Sequence, residues 1–187
     1  MNSGFNKAPL RDLDFGPLGV EIECRADGTL LARSPFQLPP FETSVTARLD
    51  HWAKLAPQRS FLAEREERGW RHLSYGEAHR AARAIGQALL ARGLSAERTL
   101  VILSGNSIAH GLLALAALYV GIPCAPISPA YSLATRDYSR LKRLLDLLTP
   151  GLVFAESQTQ FRPAIETCAS KGTEILTDLA SLLATAS

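Results

Sequence analysis

The chain has 187 residues, 47% hydrophobic and 20% charged, which supplies enough apolar material for a soluble globular core. Twenty Lys and Arg against eighteen Asp and Glu leave +2, and no basic run with interleaved aromatics occurs, so nucleic acid is not an expected partner. Cys24, Cys124 and Cys168 are odd in number and form no CxxC pair, which argues against zinc and a disulfide framework and for a reducing, cytoplasmic setting.

Residues 1–42 read as an N-terminal arm with a β-hairpin. The opening "MNSGFNKAPLRDLDFG" lacks the apolar core of a signal peptide and reads as irregular. "VEIECRADGTLLAR" (20–33) alternates around Asp27-Gly28, a pair that supports a turn with positive φ.

Residues 43–187 read as an α/β unit. "SVTARLDHWAKL" carries Val45, Leu49, Trp52 and Leu55 near helical spacing, and Pro57 stops it. "SFLAEREERGWRHLS" reads as a second hairpin turning near Glu67 to Gly69. "SYGE" (74–77) is a capping box, and the helix behind it sets Ala78, Ala81, Ala82, Ile85 and Leu89 on one face, ending at Gly93.

Ser104 to Pro129 contains no charged side chain. Gly121 and Pro123 break the run, so its helix, from Ser107 to about Val120, is too short for a membrane span of about 20 residues. Asn106 or Ser107 can cap it, and Gly121 suits a left-handed end. With "TLVILS" before it and "CAPI" after it, the stretch is a βαβ unit with a mostly buried helix.

"LATRDYSRLKRLLDLLTPG" then gives a helix with a stripe of Tyr138, Leu141, Leu144, Leu145 and Leu148, with Arg136, Arg140, Arg143 and Asp146 elsewhere. "LVFAE" is a strand, and "TQFRPAIETCAS" a helix with Pro163 in its first turn. "TEIL" is a strand and "TDLASLLAT" a helix. Strict alternation from Thr99 predicts βαβ units and a largely parallel sheet covered by helices.

Several chemistries lack their motifs. GxxxxGKS, GxGxxG, HExxH and GxSxG are all absent. Ser139 and Lys142 spell S-x-x-K without the partner motifs of that class, so a solvated helix face is the better reading. His110 reads as a satisfied packing residue, His51, His72 and His79 as surface residues, and Cys124 as a small core residue in a buried strand. "PISPAYS" (126–132) follows a parallel strand's C-terminal end, where ligands approach open α/β sheets. Its residues leave two readings open, a rigid connection or a ligand-facing loop.

"DHWAKLAPQRSFLAER", "LSYGEAHRAARAIGQALLARGL", "VILSGNSIAHGLLALAALYVGIPCAPISPAYS" and "LLDLLTPGLVFA" together resemble the N-terminal part of adenylate-forming acyl- and aryl-CoA ligases. The chain looks most similar to feruloyl-CoA synthetases, through "SGNS", "APISPAYS" and "LLDLLTPGLVFA". The resemblance implies that a parent enzyme joins a small aromatic carboxylic acid such as ferulate to CoA. It would use ATP and Mg²⁺ and release AMP and pyrophosphate. It places Ser128, Pro129, Ala130 and Tyr131 near the CoA entry as cofactor contacts.

No catalytic residue or metal ligand of the family maps onto these 187 residues. The family's Ser/Thr/Gly-rich loop ending in Pro-Lys and its small C-terminal domain are expected after Ser187. The chain therefore reads as an N-terminal fragment, inactive alone and without tight cofactor binding. Ala109, where relatives often carry an acid, is a smaller departure. The alternative is a stand-alone, non-catalytic α/β binding or scaffold module.

Overall fold

The computed structural model describes residues 19–156 and 158–184. The chain divides into two compact units, residues 1–41 and 42–187. The irregular arm expected over the first 16 residues lies outside the described residues.

In the first unit, β1 (Glu21–Cys24) pairs antiparallel with β2 (Leu30–Arg33). The expected hairpin forms, but the connection spans Arg25 to Thr29 rather than a tight two-residue turn. Gly28 takes φ +83, as its place in the turn requires. The Asp27 carboxylate accepts the Thr29 N–H at 2.9 Å, a local side-chain bond of the kind that favours Asp in turns. This bond also holds the carboxyl below its ordinary pKa.

The second unit opens with α1 (Val45–Leu55), capped by the Ser44 hydroxyl on the Ala47 N–H. The hairpin of β3 (Ser60–Glu66) and β4 (Gly69–Ser74) follows, turning through Glu67 and Arg68. Ser74 and Glu77 close the expected capping box at α2 (Tyr75–Ala91). Gly86 lets α2 lie close to the next helix but one strand: a Cβ there would sit 2.9 Å from Val120 Cγ1 and 3.3 Å from the Ala116 carbonyl oxygen.

The charge-free stretch folds as the expected βαβ unit. It comprises β5 (Thr99–Leu103), α3 (Ile108–Val120) and β6 (Cys124–Pro126). Ser107 caps α3 by accepting the His110 N–H, and Gly121 ends it at φ +68. The helix is only about 20 Å long at 1.5 Å per residue. No helix among the described residues is long and apolar enough to cross a membrane.

After β6 the chain forms α4 (Ala130–Leu133), α5 (Ser139–Leu148) and β7 (Pro150–Ala155). Then come α6 (Gln158–Cys168), β8 (Glu174–Leu176) and α7 (Leu179–Ala184). Pro163 sits inside α6, not in its first turn as expected, because the helix begins ahead of the proline by more than one turn.

The sheet order is β6-β5-β7-β8, with every pair parallel. Strand alternation divides the core. Leu100, Ile102, Leu152 and Phe154 pack with Ile85, Leu89, Leu113 and Leu182 on one side. Val101, Leu103, Val153 and Ala155 pack with Leu141, Leu145, Phe161 and Ile165 on the other. β5 is buried along its length, whereas β6 is an edge strand. Cys124 is consequently half-buried, not deep in a core strand as expected.

Candidate functional site

Parallel pairing sends the loops after β5 and β6 out of the same edge of the sheet, the edge where α/β folds bind ligands. The loop after β5 is braced internally. His110 Nδ1 lies 3.0 Å from Ser104 Oγ and 3.1 Å from the Gly105 carbonyl oxygen. His110 is half-buried and held by these loop contacts rather than by packing in the core. Glu64 reaches across from β3, and its carboxylate accepts the Ile108 N–H at 2.6 Å. That carboxylate also pairs with Arg71 at 3.1 Å. The N-terminus of α3 therefore already holds an anion, supplied by the protein.

The segment after β6 carries the four residues expected at the CoA entry. It is more ordered than a loop. Pro129, at φ −53, starts the one-turn helix α4, and the Ser128 hydroxyl meets the Ala130 N–H at 3.4 Å. The Ser128 carbonyl accepts the Tyr131 N–H at 3.1 Å. Ser128 and Ala130 are exposed, while Pro129 and Tyr131 are half-buried. The turn thus offers a hydroxyl and part of an aromatic ring at the ligand edge. Next to them, Ser132 is buried, and its hydroxyl has no partner among the described residues.

Tyr131 also lines a cavity with Arg140, Arg143, Leu144 and Leu147 of α5. The sequence placed these arginines off the apolar stripe but did not connect them with Tyr131. The available signal was a pair of arginines spaced i, i+3 beside the apolar stripe, which places them on one helix face.

Other candidates resolve locally. Lys142 pairs with Asp146 at 3.2 Å, so S-x-x-K is a solvated helix face. His79 is not a plain surface residue as expected. It lies half-buried on the side of α2 that meets α1, with Nε2 3.1 Å from Asp50 Oδ1. Tyr119 Oη donates to the same oxygen at 2.5 Å. Burial, then this hydrogen bond, push the Tyr119 hydroxyl above its ordinary pKa. Burial likewise pushes the Cys124 thiol up to about 11. Among the described residues no group of three or more His, Cys, Asp or Glu could hold a metal ion. Nor does a glycine-rich phosphate cradle follow any strand.

Solved structures share this fold. The fatty acyl-adenylate ligase from L. pneumophila, in complex with acyl adenylate and pyrophosphate, matches with TM-score 0.61 and 17% identity, over 76% of this chain and 24% of that one. McyG A-PCP complexed with phenylalanyl-adenylate matches with TM-score 0.64 and 16% identity, over 79% and 27%. The Klebsiella oxytoca NpsA N-terminal subdomain in complex with 3-hydroxyanthranilyl-AMSN matches with TM-score 0.57 and 14% identity, over 77% and 33%. At these identities the likeness establishes a common fold, and the chain spans a quarter to a third of each relative. No curated protein sequence matches. Residues 49–186, most of the chain, match the family model described as AMP-binding enzyme, and the chain belongs to that family.

Proposed function

We propose that the chain is the N-terminal part of an ATP-dependent carboxylate–CoA ligase that acts on hydroxycinnamates such as ferulate. In the first step a carboxylate oxygen attacks the α-phosphorus of ATP, with Mg²⁺ on the phosphates, and pyrophosphate leaves. In the second, the thiol sulfur of CoA attacks the acyl carbonyl of the adenylate. The thiol proton is lost and AMP departs. The observation that carries this reading is the match of residues 49–186 to AMP-binding enzymes. The sequence resemblance around "APISPAYS" supports the narrower choice of CoA and an aromatic acid.

In this reading Ser128, Pro129, Ala130 and Tyr131 form one wall of the CoA entry. The hydroxyl of Ser128 and the ring of Tyr131 are the groups that can meet a polar, partly apolar arm. Phosphate binding and acid activation need preorganised amides and a positioned lysine. The reading assigns these to sequence following Ser187 in the parent enzyme. A cytoplasmic location goes with it, since the substrates ATP and CoA are cytoplasmic and Cys24, Cys124 and Cys168 are free thiols.

Reading the gene past the codon for Ser187 tests the proposal. A continuing frame with a Ser/Thr/Gly-rich loop ending in Pro-Lys is expected. A stop codon at that point would replace the ligase with the stand-alone binding module.

A further inference from the structure

We propose that His110 takes the proton of the CoA thiol in the second step, an assignment that rests on the CoA-ligase reading above. Its neighbours hold the imidazole in one tautomer. Nδ1 lies 3.0 Å from Ser104 Oγ and 3.1 Å from the Gly105 carbonyl oxygen. A carbonyl oxygen only accepts, so the ring nitrogen beside it carries the hydrogen. The buried Ser104 hydroxyl fits the same arrangement: it donates to the Gly105 carbonyl at 3.0 Å and turns a lone pair to Nδ1–H. In the neutral ring the other nitrogen, Nε2, then holds the free lone pair. Nε2 has no hydrogen-bond partner among the described residues.

The backbone of this residue is fixed as well. The His110 N–H donates to the Ser107 hydroxyl at 3.1 Å, in the first turn of α3. Glu64, at the same helix end, is engaged by the Ile108 N–H and by Arg71.

The placement suits the arm of CoA. Ile102 stands opposite Pro126 in the parallel register, and the Ile127 N–H donates to the Ile102 carbonyl at 3.0 Å. Ser104 and Gly105 therefore leave the sheet beside Ser128 and Pro129, at the edge where α/β folds bind ligands. In the ligase reading that second segment is a wall of the CoA entry, and the His110 ring is tied to the first. The other three histidines belong elsewhere: His51 and His79 lie on α1 and α2, and His72 meets Ser60 on the hairpin.

A thiol attacks well only as its proton leaves, because the thiolate is the nucleophile. As the sulfur–carbon bond forms, the S–H bond breaks and its proton passes to Nε2. The carbon–oxygen bond to the phosphate then breaks, and AMP leaves with that electron pair. The ring is now a cation, and its Nδ1–H makes a charge-assisted bond to the Gly105 carbonyl. Release of the Nε2 proton to water restores the starting tautomer.

Two measurements test this. Nitrogen-15 NMR of the 187-residue chain at alkaline pH reads the tautomer, with the His110 signals assigned by their loss in His110→Gln. Nε2 is expected as the nitrogen without hydrogen; an Nε2–H tautomer would overturn the assignment. Single-turnover kinetics of the polypeptide encoded by the whole reading frame, started from preformed feruloyl adenylate, reads the proton transfer. His110→Gln should slow thioester formation at saturating CoA by about a hundredfold or more, the scale of a lost general base. Hydroxylamine, which attacks through a neutral lone pair, should show no such loss. Far-UV circular dichroism checks that the variant folds.

The proposal is overturned if His110→Gln forms thioester at the wild-type rate, if only the KM for CoA changes, or if hydroxylamine suffers the same loss. Failure of the ligase reading shows separately, as a wild-type polypeptide that releases no AMP with ferulate.

Discussion

Glu64 on β3 accepts the backbone N–H of Ile108 at 2.6 Å, so a hairpin residue caps the central helix α3 from 44 positions away. Two devices now serve that helix end, Glu64 and the Ser107 hydroxyl. Glu64 also carries Arg71, so one carboxylate joins both strands of the hairpin to the βαβ core. Glu64→Ala is expected to cost about 1–2 kcal/mol of stability, the scale of a lost cap with a charge at a helix N-terminus. Glu64→Gln keeps an acceptor and should lose less. Urea unfolding measures both; an unchanged midpoint in Glu64→Ala would show that the bond contributes nothing.

Gly86 is the close-approach point between α2 and α3. Replacing it with alanine gains up to about 1 kcal/mol of helix propensity. The new Cβ would meet the stiff Val120 side chain at 2.9 Å and the Ala116 carbonyl at 3.3 Å. Overpacking of this kind costs about 1–3 kcal/mol, so Gly86→Ala should be destabilised on balance. Adding Val120→Ala should recover part of the loss in a double-mutant cycle. A stabilised Gly86→Ala would mean that the helices separate freely.

Arg92 fastens α7 to the end of α2. Its guanidinium donates to the carbonyls of Ala88 and Leu182 at 3.2 and 3.1 Å and to Ser181 at 3.3 Å. It also pairs with Glu174 at 3.1 Å, with only 12% of its side chain exposed. Arg92→Ala should cost about 2–3 kcal/mol, the scale of charge-assisted bonds lost from a partly buried site. Arg92→Lys cannot reproduce the fork and should rescue little. Hydrogen exchange should rise across Leu179–Ala184 in both variants, and normal protection there would contradict this role.

Cys124 sets a limit on alkaline stability. Burial raises its thiol from the ordinary 9.0 to about 11. Between those values the unfolded chain has lost the proton that the folded chain keeps. This contribution is intact below pH 9 and is lost as pH rises toward 11. Cys124→Ser should flatten the alkaline limb of a stability profile. At pH 8, iodoacetamide should modify exposed Cys24 well before Cys124; equal rates would contradict the burial.

Much of the fold was legible because the signals were local. Ser74 and Glu77 announce the start of α2, and Gly121 announces the end of α3. Alternating apolar strands and helices from Thr99 gave the parallel sheet. Pairing partners were not local. That β6 lies at an edge, leaving Cys124 half-buried, depends on sheet order, which no single segment encodes. The position of Pro163 depended on a helix start that the residues around it did not mark. The turn at Pro129 was found as a candidate ligand segment, but its helical geometry comes from Pro129 and Ser128 acting together. The cavity of Tyr131, Arg140 and Arg143 joins two helices, and it emerged only when they were folded against each other. His79 gave no hint of Asp50 because its partner lies on another helix.

The most direct measurement is a product analysis of the polypeptide encoded by the whole reading frame, incubated with ATP, Mg²⁺, ferulate and CoA. The account predicts feruloyl-CoA, AMP and pyrophosphate in equal amounts, with AMP release dependent on the acid. It predicts no thioester from residues 1–187 alone. ADP and inorganic phosphate as products, no acid-dependent turnover by the whole polypeptide, or robust thioester formation by the 187-residue chain would contradict it.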